Sequence, residues 1–368
     1  MGEFLKGEKN PKIIGVGESE TKGIRHGYVV NIPLAVISLK NAVSIAEKSS
    51  GIRIKRAFIS IGGVTLRGDI SSGIGIISKA DGEVTTLDIN KALQDCEDNL
   101  NLNNKKVIKV SPISFKLDGK EILGRPEGMR GTKLEIKALF TTCSLSHFED
   151  LLEVVTSAEI EPIDIIASAE AGSHIALSEK QKMVGGALVN IGSETVSLSV
   201  FENGMLVSLH TFSIGGADIT NDIALGMKIS LENAERFKLG NVTEDFSKKK
   251  LDEIVEARLF DIFELIENYL KKIKRNELLP AGIVFIGGSA NIPLLEEFSK
   301  SALKLPSRVG TTEIFGSIKT KLRDSSWFTV LGLIVSDDDN NFYSKSLFKS
   351  FFKNLKNILR SNIKQLMP

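Results

Sequence analysis

Two cysteines in 368 residues, Cys96 and Cys143, carry no metal-ligand spacing and cannot build a disulfide framework, so a reducing compartment is the expectation. Histidine is scarce as well. His26, His147, His174 and His210 are scattered, which reads as surface or internally satisfied imidazoles rather than a catalytic cluster. A formal net charge of +1 leaves no broad basic surface for nucleic acid. No apolar run reaches the roughly eighteen residues of a membrane span and no secretory leader opens the chain, so the expected body neither crosses a membrane nor is exported. Lys6 stands where a myristoylation signal needs Ser or Thr.

What is present is an ordinary globular composition, 42% hydrophobic and 25% charged, in a chain long enough for two or more domains. The organising stretch is Ala187 to Val200, two apolar strand-like runs around a Gly192-Ser193-Glu194-Thr195 corner, with Asn203-Gly204 as the next turn. This predicts a β-meander whose glycine tip exposes backbone N–H groups to an anion such as phosphate. Two more glycine corners follow. Ile214-Gly215-Gly216 leads to Asp218 and Asp222, and Ile283-Val284-Phe285-Ile286 runs into Gly287-Gly288-Ser289 ahead of a helix-like Ile292 to Leu303. A helix N-terminus beside the last corner would add partial positive charge.

Three glycine corners in this order, with Ile13-Ile14-Gly15-Val16-Gly17, Gly27 to Ile32, Ser60-Ile61-Gly62-Gly63 and Glu232 to Lys238, resemble the nucleotide-binding actin/Hsp70/hexokinase superfamily and, within it, the FtsA family of bacterial cell division proteins. The resemblance implies an α/β, actin-like ATPase fold of two ribonuclease-H-like lobes with a small α+β insertion. In that scheme residues 1–62 form subdomain 1A, 63–146 an SHS2-like subdomain 1C, and 147–183 the return to 1A. Residues 184–229 form 2A, 230–281 form 2B, and 282–335 complete 2A and close on 1A. The first of the family's two phosphate hairpins is missing, so the expectation is that about 20 to 25 residues lie upstream of Met1.

Beyond a polar spacer at 336–344, residues 345–368 carry Leu347, Phe348, Phe351, Phe352, Leu355, Leu359 and Ile363 at spacings of three and four. Lys349, Lys353, Lys356, Arg360 and Lys364 fall mainly on the other face, and no acidic residue occurs from Lys345 onward. Such a basic amphipathic helix, about 30 Å long at the α-helical rise, lies in a membrane interface. Each cation near an anionic leaflet contributes about 1 kcal/mol. A core or partner-binding helix is the rival reading.

The resemblance places ATP against Gly192, Ser193, Thr195, Gly215 and Gly216 at phosphate, Glu235 and Lys238 at ribose, and Gly287, Gly288 and Ser289 at adenosine, with Mg²⁺ held through phosphates and water and no protein metal site. Asp164 is the candidate for orienting water. Asn190 replaces the family's Asp and cannot act as a base, so nucleotide binding with weak or absent hydrolysis is expected. Glu194, also a departure from the family's corner, is expected to face solvent. The implied partners are FtsZ through 2B, further copies in filaments, other division proteins through 1C, and anionic lipid at the inner face of the cell membrane at midcell. A nucleotide-free membrane scaffold and a PilM-like actin-fold protein are the alternatives; a sugar or acetate kinase leaves the basic tail unexplained.

Overall fold

The computed structural model describes residues 1–5, 11–241, 247–312 and 320–336; the spacer after Ser336 and the basic tail lie outside the described residues. At the start, β1 (Gly2–Glu3) pairs antiparallel with β2 (Lys12–Ile13), and β3 (Ile24–Arg25) with β4 (Tyr28–Val29) around a His26-Gly27 turn. Helix α1 (Ile32–Ser50) begins where the Asn31 side chain accepts the Leu34 N–H, with Pro33 in the first turn. It ends at Gly51, whose left-handed φ of 72° lets its N–H return to the Glu47 carbonyl. The chain reaches β5 (Arg56–Ile61) through a segment in which the Glu47 carboxylate accepts the Ile54 N–H at 2.6 Å.

An antiparallel unit follows: β6 (Arg67–Ile76), α2 (Thr86–Asp98), β7 (Lys105–Leu117), β8 (Lys120–Ile122) and β9 (Lys133–Ser144), in the order β6-β9-β7-β8. Strand β7 absorbs Pro112 by a register shift against β9. Reciprocal hydrogen bonds between Thr85 and Asp88 cap α2. A Cβ on Gly73 would come within 2.4 Å of the Ala92 carbonyl under α2, so the bare backbone lets the helix lie flat on the sheet. Cys96 and Cys143 are free and buried, and burial pushes their thiols up to about 11 and about 12.

The chain then forms α3 (Leu145–Ser157), β10 (Glu161–Ala167) parallel to β5, α4 (Ser168–Ala176) and α5 (Glu179–Val184). The meander appears as β11 (Gly186–Ile191), β12 (Val196–Glu202) and β13 (Met205–Phe212). Next come α6 (Gly216–Met227), α7 (Leu231–Lys238), α8 (Lys248–Lys272), β14 (Ile283–Ile286), α9 (Leu295–Leu303), β15 (Ser307–Val309) and α10 (Phe328–Val335). The sheet runs β13-β12-β11-β14-β15, with β14 and β15 parallel to β11. Helix α8 turns Leu251, Val255, Leu259, Ile262, Ile266 and Leu270 inward, while Phe260 and Leu265 are exposed. The buried stripe follows steps of three and four from Leu251, and those two residues fall off it.

Helices α4 and α10 cross backbone to backbone and join the half-sheets. A Cβ on Gly332 of α10 would sit 1.8 Å from the Ala171 carbonyl oxygen, and one on Gly172 would sit 2.4 Å from Ile286 Cδ1. Gly332→Ala tests this contact. Helix propensity alone would add about 1 kcal/mol, whereas overpacking removes about 1–3 kcal/mol, so a lower denaturant midpoint at unchanged m-value is expected.

Candidate functional site

Asn190 is the fifth residue of β11, and its amide reaches Thr329 Oγ1 of α10 at 3.5 Å. The corner after it closes through the Gly192 N–H, which donates to the Thr195 carbonyl at 2.9 Å. The tip is laced to the start of α6: the Gly216 N–H donates to the Gly192 carbonyl at 2.9 Å and the Ala217 N–H to the Ser193 carbonyl at 2.7 Å. The Gly215 N–H donates to the Asp218 carboxylate at 2.8 Å. The first-turn amides of α6, expected at phosphate through Gly215 and Gly216, are thus engaged by protein acceptors.

Gly216 serves another purpose. A Cβ there would lie 1.8 Å from Ser289 Oγ and 3.1 Å from Lys238 Nζ. Its absence brings three expected residues from three separate segments into one cluster. The buried Lys238 ammonium donates to the Gly216 carbonyl at 3.1 Å, Thr220 Oγ1 at 3.0 Å and Glu235 Oε2 at 2.6 Å, using all three of its donors. The i, i+3 spacing of Glu235 and Lys238 yields an ion pair buried at the lysine end. Thr220, which the sequence reading missed, lies 2.5 Å from Glu235; its only signal was its place one turn into α6.

At the third corner, Gly287 has φ 95° and packs against Asn190 and the Ile191 carbonyl, where a Cβ would fall at 2.4–2.5 Å. Gly288 faces open space and Ser289 is buried. The helix expected here starts later than Ile292: a 3-10 turn at Gly288–Asn291 intervenes, and α9 opens at Leu295 behind Leu294, whose φ is 66°. The corner itself therefore meets a short 3-10 turn, not the α-helix N-terminus. An open groove of about 930 Å³ begins behind it, lined by Ala290, Asn291, Leu295, Glu297 and Lys300 among others.

The first half contributes Gly62-Gly63 and the β3–β4 turn. Gly27 lies against the Gly63 backbone, and His147 Nε2 donates to the Gly62 carbonyl at 3.0 Å. Glu194 does not face solvent as expected. Its carboxylate accepts the His26 N–H at 2.6 Å and pairs with Arg25 Nε at 3.3 Å. The acid is held by a cation and an amide of the opposite half, so the turn is clasped over the corner. Asp164 sits mid-strand in β10 at a bulge, where it accepts the Ile165 N–H at 2.8 Å, apart from the Asn190 and Gly216 clusters. A buried ion pair also escaped notice: Lys109 of β7 donates to Glu170 of α4, pinning the inserted sheet to the crossing helix. Burial opposes the Glu170 charge, and Lys109 overcomes it, holding the carboxyl below its usual range. Among the described residues no cluster of three or more His, Cys, Asp or Glu side chains could hold a metal.

Similarity to known proteins is extensive. The chain is 29% identical over 356 residues to the cell division protein FtsA of Bacillus subtilis, covering 91% of this chain and 79% of that protein. It is 27% identical over 346 residues to that of Pseudomonas aeruginosa, with 88% and 82% covered. A family model described as "Cell division protein FtsA" matches residues 187–332, and one described as "SHS2 domain inserted in FTSA" matches residues 63–142. The chain belongs to the FtsA family. The two matched segments cover most of the inserted sheet and of the glycine-cornered one. Among solved structures, one from a PilM-PilN type IV pilus biogenesis complex superposes with a TM-score of 0.64 at 14% identity, covering 88% of this chain and 91% of that one. The ethanolamine utilization protein EutJ of Carboxydothermus hydrogenoformans gives 0.50 at 16% identity, with 86% and 78% covered. The fold is actin-like with an SHS2 insertion.

Two measurements check this geometry. Replacing Glu194 by Ala removes a charged acceptor, a hydrogen bond of about 1.5–3 kcal/mol when well shielded, so the His26 amide should exchange on the order of tenfold faster. Burial depresses the pKa of His147, whose Nδ1 finds no hydrogen-bond partner among the described residues. The unfolded chain then binds more protons, so stability is full above the ordinary value of about 6.5 and is lost as pH falls through the lower folded value. His147→Gln should flatten that part of the stability profile in denaturant titrations between about pH 7 and pH 5.

Proposed function

We propose that this FtsA-family chain binds ATP between its two halves, associates with the inner face of the cell membrane, self-assembles, and anchors FtsZ filaments at the division septum. The observation that carries the nucleotide reading is the meeting of Gly216, Lys238 and Ser289 beside the Gly192–Thr195 corner. Gly192, Ser193 and Thr195, with Gly215 and Gly216 behind them, would meet phosphate. Glu235 and Lys238 would meet ribose, and Gly287, Gly288 and Ser289 adenosine. Bound Mg²⁺ would neutralise phosphate charge, held through phosphates and water. Asn190 is neutral and turned to Thr329, so it offers no base to an attacking water, and little hydrolysis follows.

Exposed Leu231, Phe260 and Leu265 on α7 and α8 support a protein contact there, the role assigned to the FtsZ tail. The basic, Phe-rich segment at 345–368 supports interfacial membrane binding through Phe348, Phe351, Phe352, Leu355 and Leu359. No helix among the described residues is long and apolar enough to cross a membrane. A nucleotide-free scaffold is the second reading, favoured by the α6 amides and the Lys238 ammonium being engaged by protein acceptors.

Titration with a fluorescent ATP analogue separates the two. Saturable binding is expected, weakened at least about tenfold by Gly288→Glu, a substitution into open space that should leave the circular dichroism unchanged; no saturable binding would favour the scaffold. Phosphate release should stay near background and be unaffected by Asn190→Ala. Flotation with anionic liposomes should be lost when residues 345–368 are deleted, and flotation that ignores the deletion would remove the tether from the proposal.

A further inference from the structure

Helices α6 and α8 pack on one side of the glycine-cornered sheet as an antiparallel pair. Arg258 of α8 donates to Asp222 of α6 at 2.6 Å, and a Cβ on Gly226, one turn further along α6, would meet Ile254 of α8 at 2.6 Å. The inward stripe of α8 is spent on the core. Its other side is open: Ala257, Phe260 and Leu265 are exposed, and so is Leu225 of α6, next to Gly226.

Charge sets this face apart from an ordinary apolar patch. From Leu251 to Glu267, α8 carries six carboxylates and the single cation Arg258, and α6 adds Asp218 and Asp222 with no cation. Arg258 is already shared by Asp222 and Asp261, while among the described residues exposed Glu256 and Glu264 meet no cation. One segment of the chain has the complementary character. Residues 345–368 hold six cations and no acid, with an apolar stripe from Leu347 to Ile363. At the α-helical rise that stripe and the acidic stretch of α8 are each about 24 Å long. The segment follows α10, which packs on the opposite side of the same sheet, and the eight residues between Ser336 and Lys345 span up to about 28 Å.

We propose that, away from a membrane, the basic tail docks on the acidic outer face of α6 and α8, its phenylalanines against Leu225, Phe260 and Leu265 and its cations toward Glu256 and Glu264. The apolar contacts hold the segment and the carboxylates select it for its charge. The partner-binding and membrane readings of the tail are then two states of one segment, because the same phenylalanines cannot enter lipid and cover α8 together. The docking stands on the helix pair alone; that it masks the anchor rests on the membrane reading above. A docked tail also covers Phe260 and Leu265, which closes the protein contact proposed there.

Trypsin reports the docking, since its cleavage sites in the tail are the tail's own cations. In the full-length protein without lipid, cleavage within residues 345–368, followed by mass spectrometry, should be about tenfold slower than in the triple variant Glu256→Gln, Phe260→Ala and Glu264→Gln. All three positions are exposed, so the circular dichroism should not change. Raising salt from about 0.05 M to about 0.5 M should bring the wild-type rate toward that of the variant. Equal cleavage rates in the two proteins overturn the docking. At limiting anionic liposome the variant should float more than the wild type. Equal flotation of the two overturns the masking, and flotation of neither removes the tether and the masking with it, while the cleavage rates still decide the docking.

Discussion

The structure depends on places where a missing Cβ lets neighbouring segments close up. Gly332 against the Ala171 carbonyl sets how closely α10 crosses α4, and Gly172 of α4 makes room for the Ile286 side chain of β14. The same device recurs at the site, where Gly216 yields its Cβ volume to Ser289 and Lys238 and Gly215 lies on the Ser193 carbonyl. Close packing makes such contacts intolerant of a single added carbon. The relative placement of the three corners is thus a steric consequence of a few glycines.

Electrostatics then occupies the spaces that sterics leaves. Lys238 is buried with every donor used, and Glu170 is buried against Lys109, so neither charge is left uncompensated in a poorly solvated interior. Glu194 would oppose an anion at the Gly192 corner, and the opposite half neutralises it through Arg25 and the His26 amide. The clasp ties the fate of this corner to the approach of the two halves.

Much of this was legible in the residues. The meander and the pairing of Glu235 with Lys238 follow from local spacing and turn chemistry. Where reading by pattern went astray at Glu194, a distant residue had intervened: Arg25 of the opposite half pairs with its carboxylate. On α8 the long helix offers two overlapping apolar stripes, and its neighbours choose the one that leaves Phe260 exposed.

The sequence by itself determined the family, the actin-like class, the glycine corners and the elements that carry them, because each is written in short-range periodicity and in residues with special backbone freedom. The tertiary structure decided which of those amides stay available, that Lys238 is enclosed, and that Glu194 closes a clasp. Those outcomes rest on contacts between separate segments of the chain and on the packing of neighbouring helices, and local pattern holds no record of them.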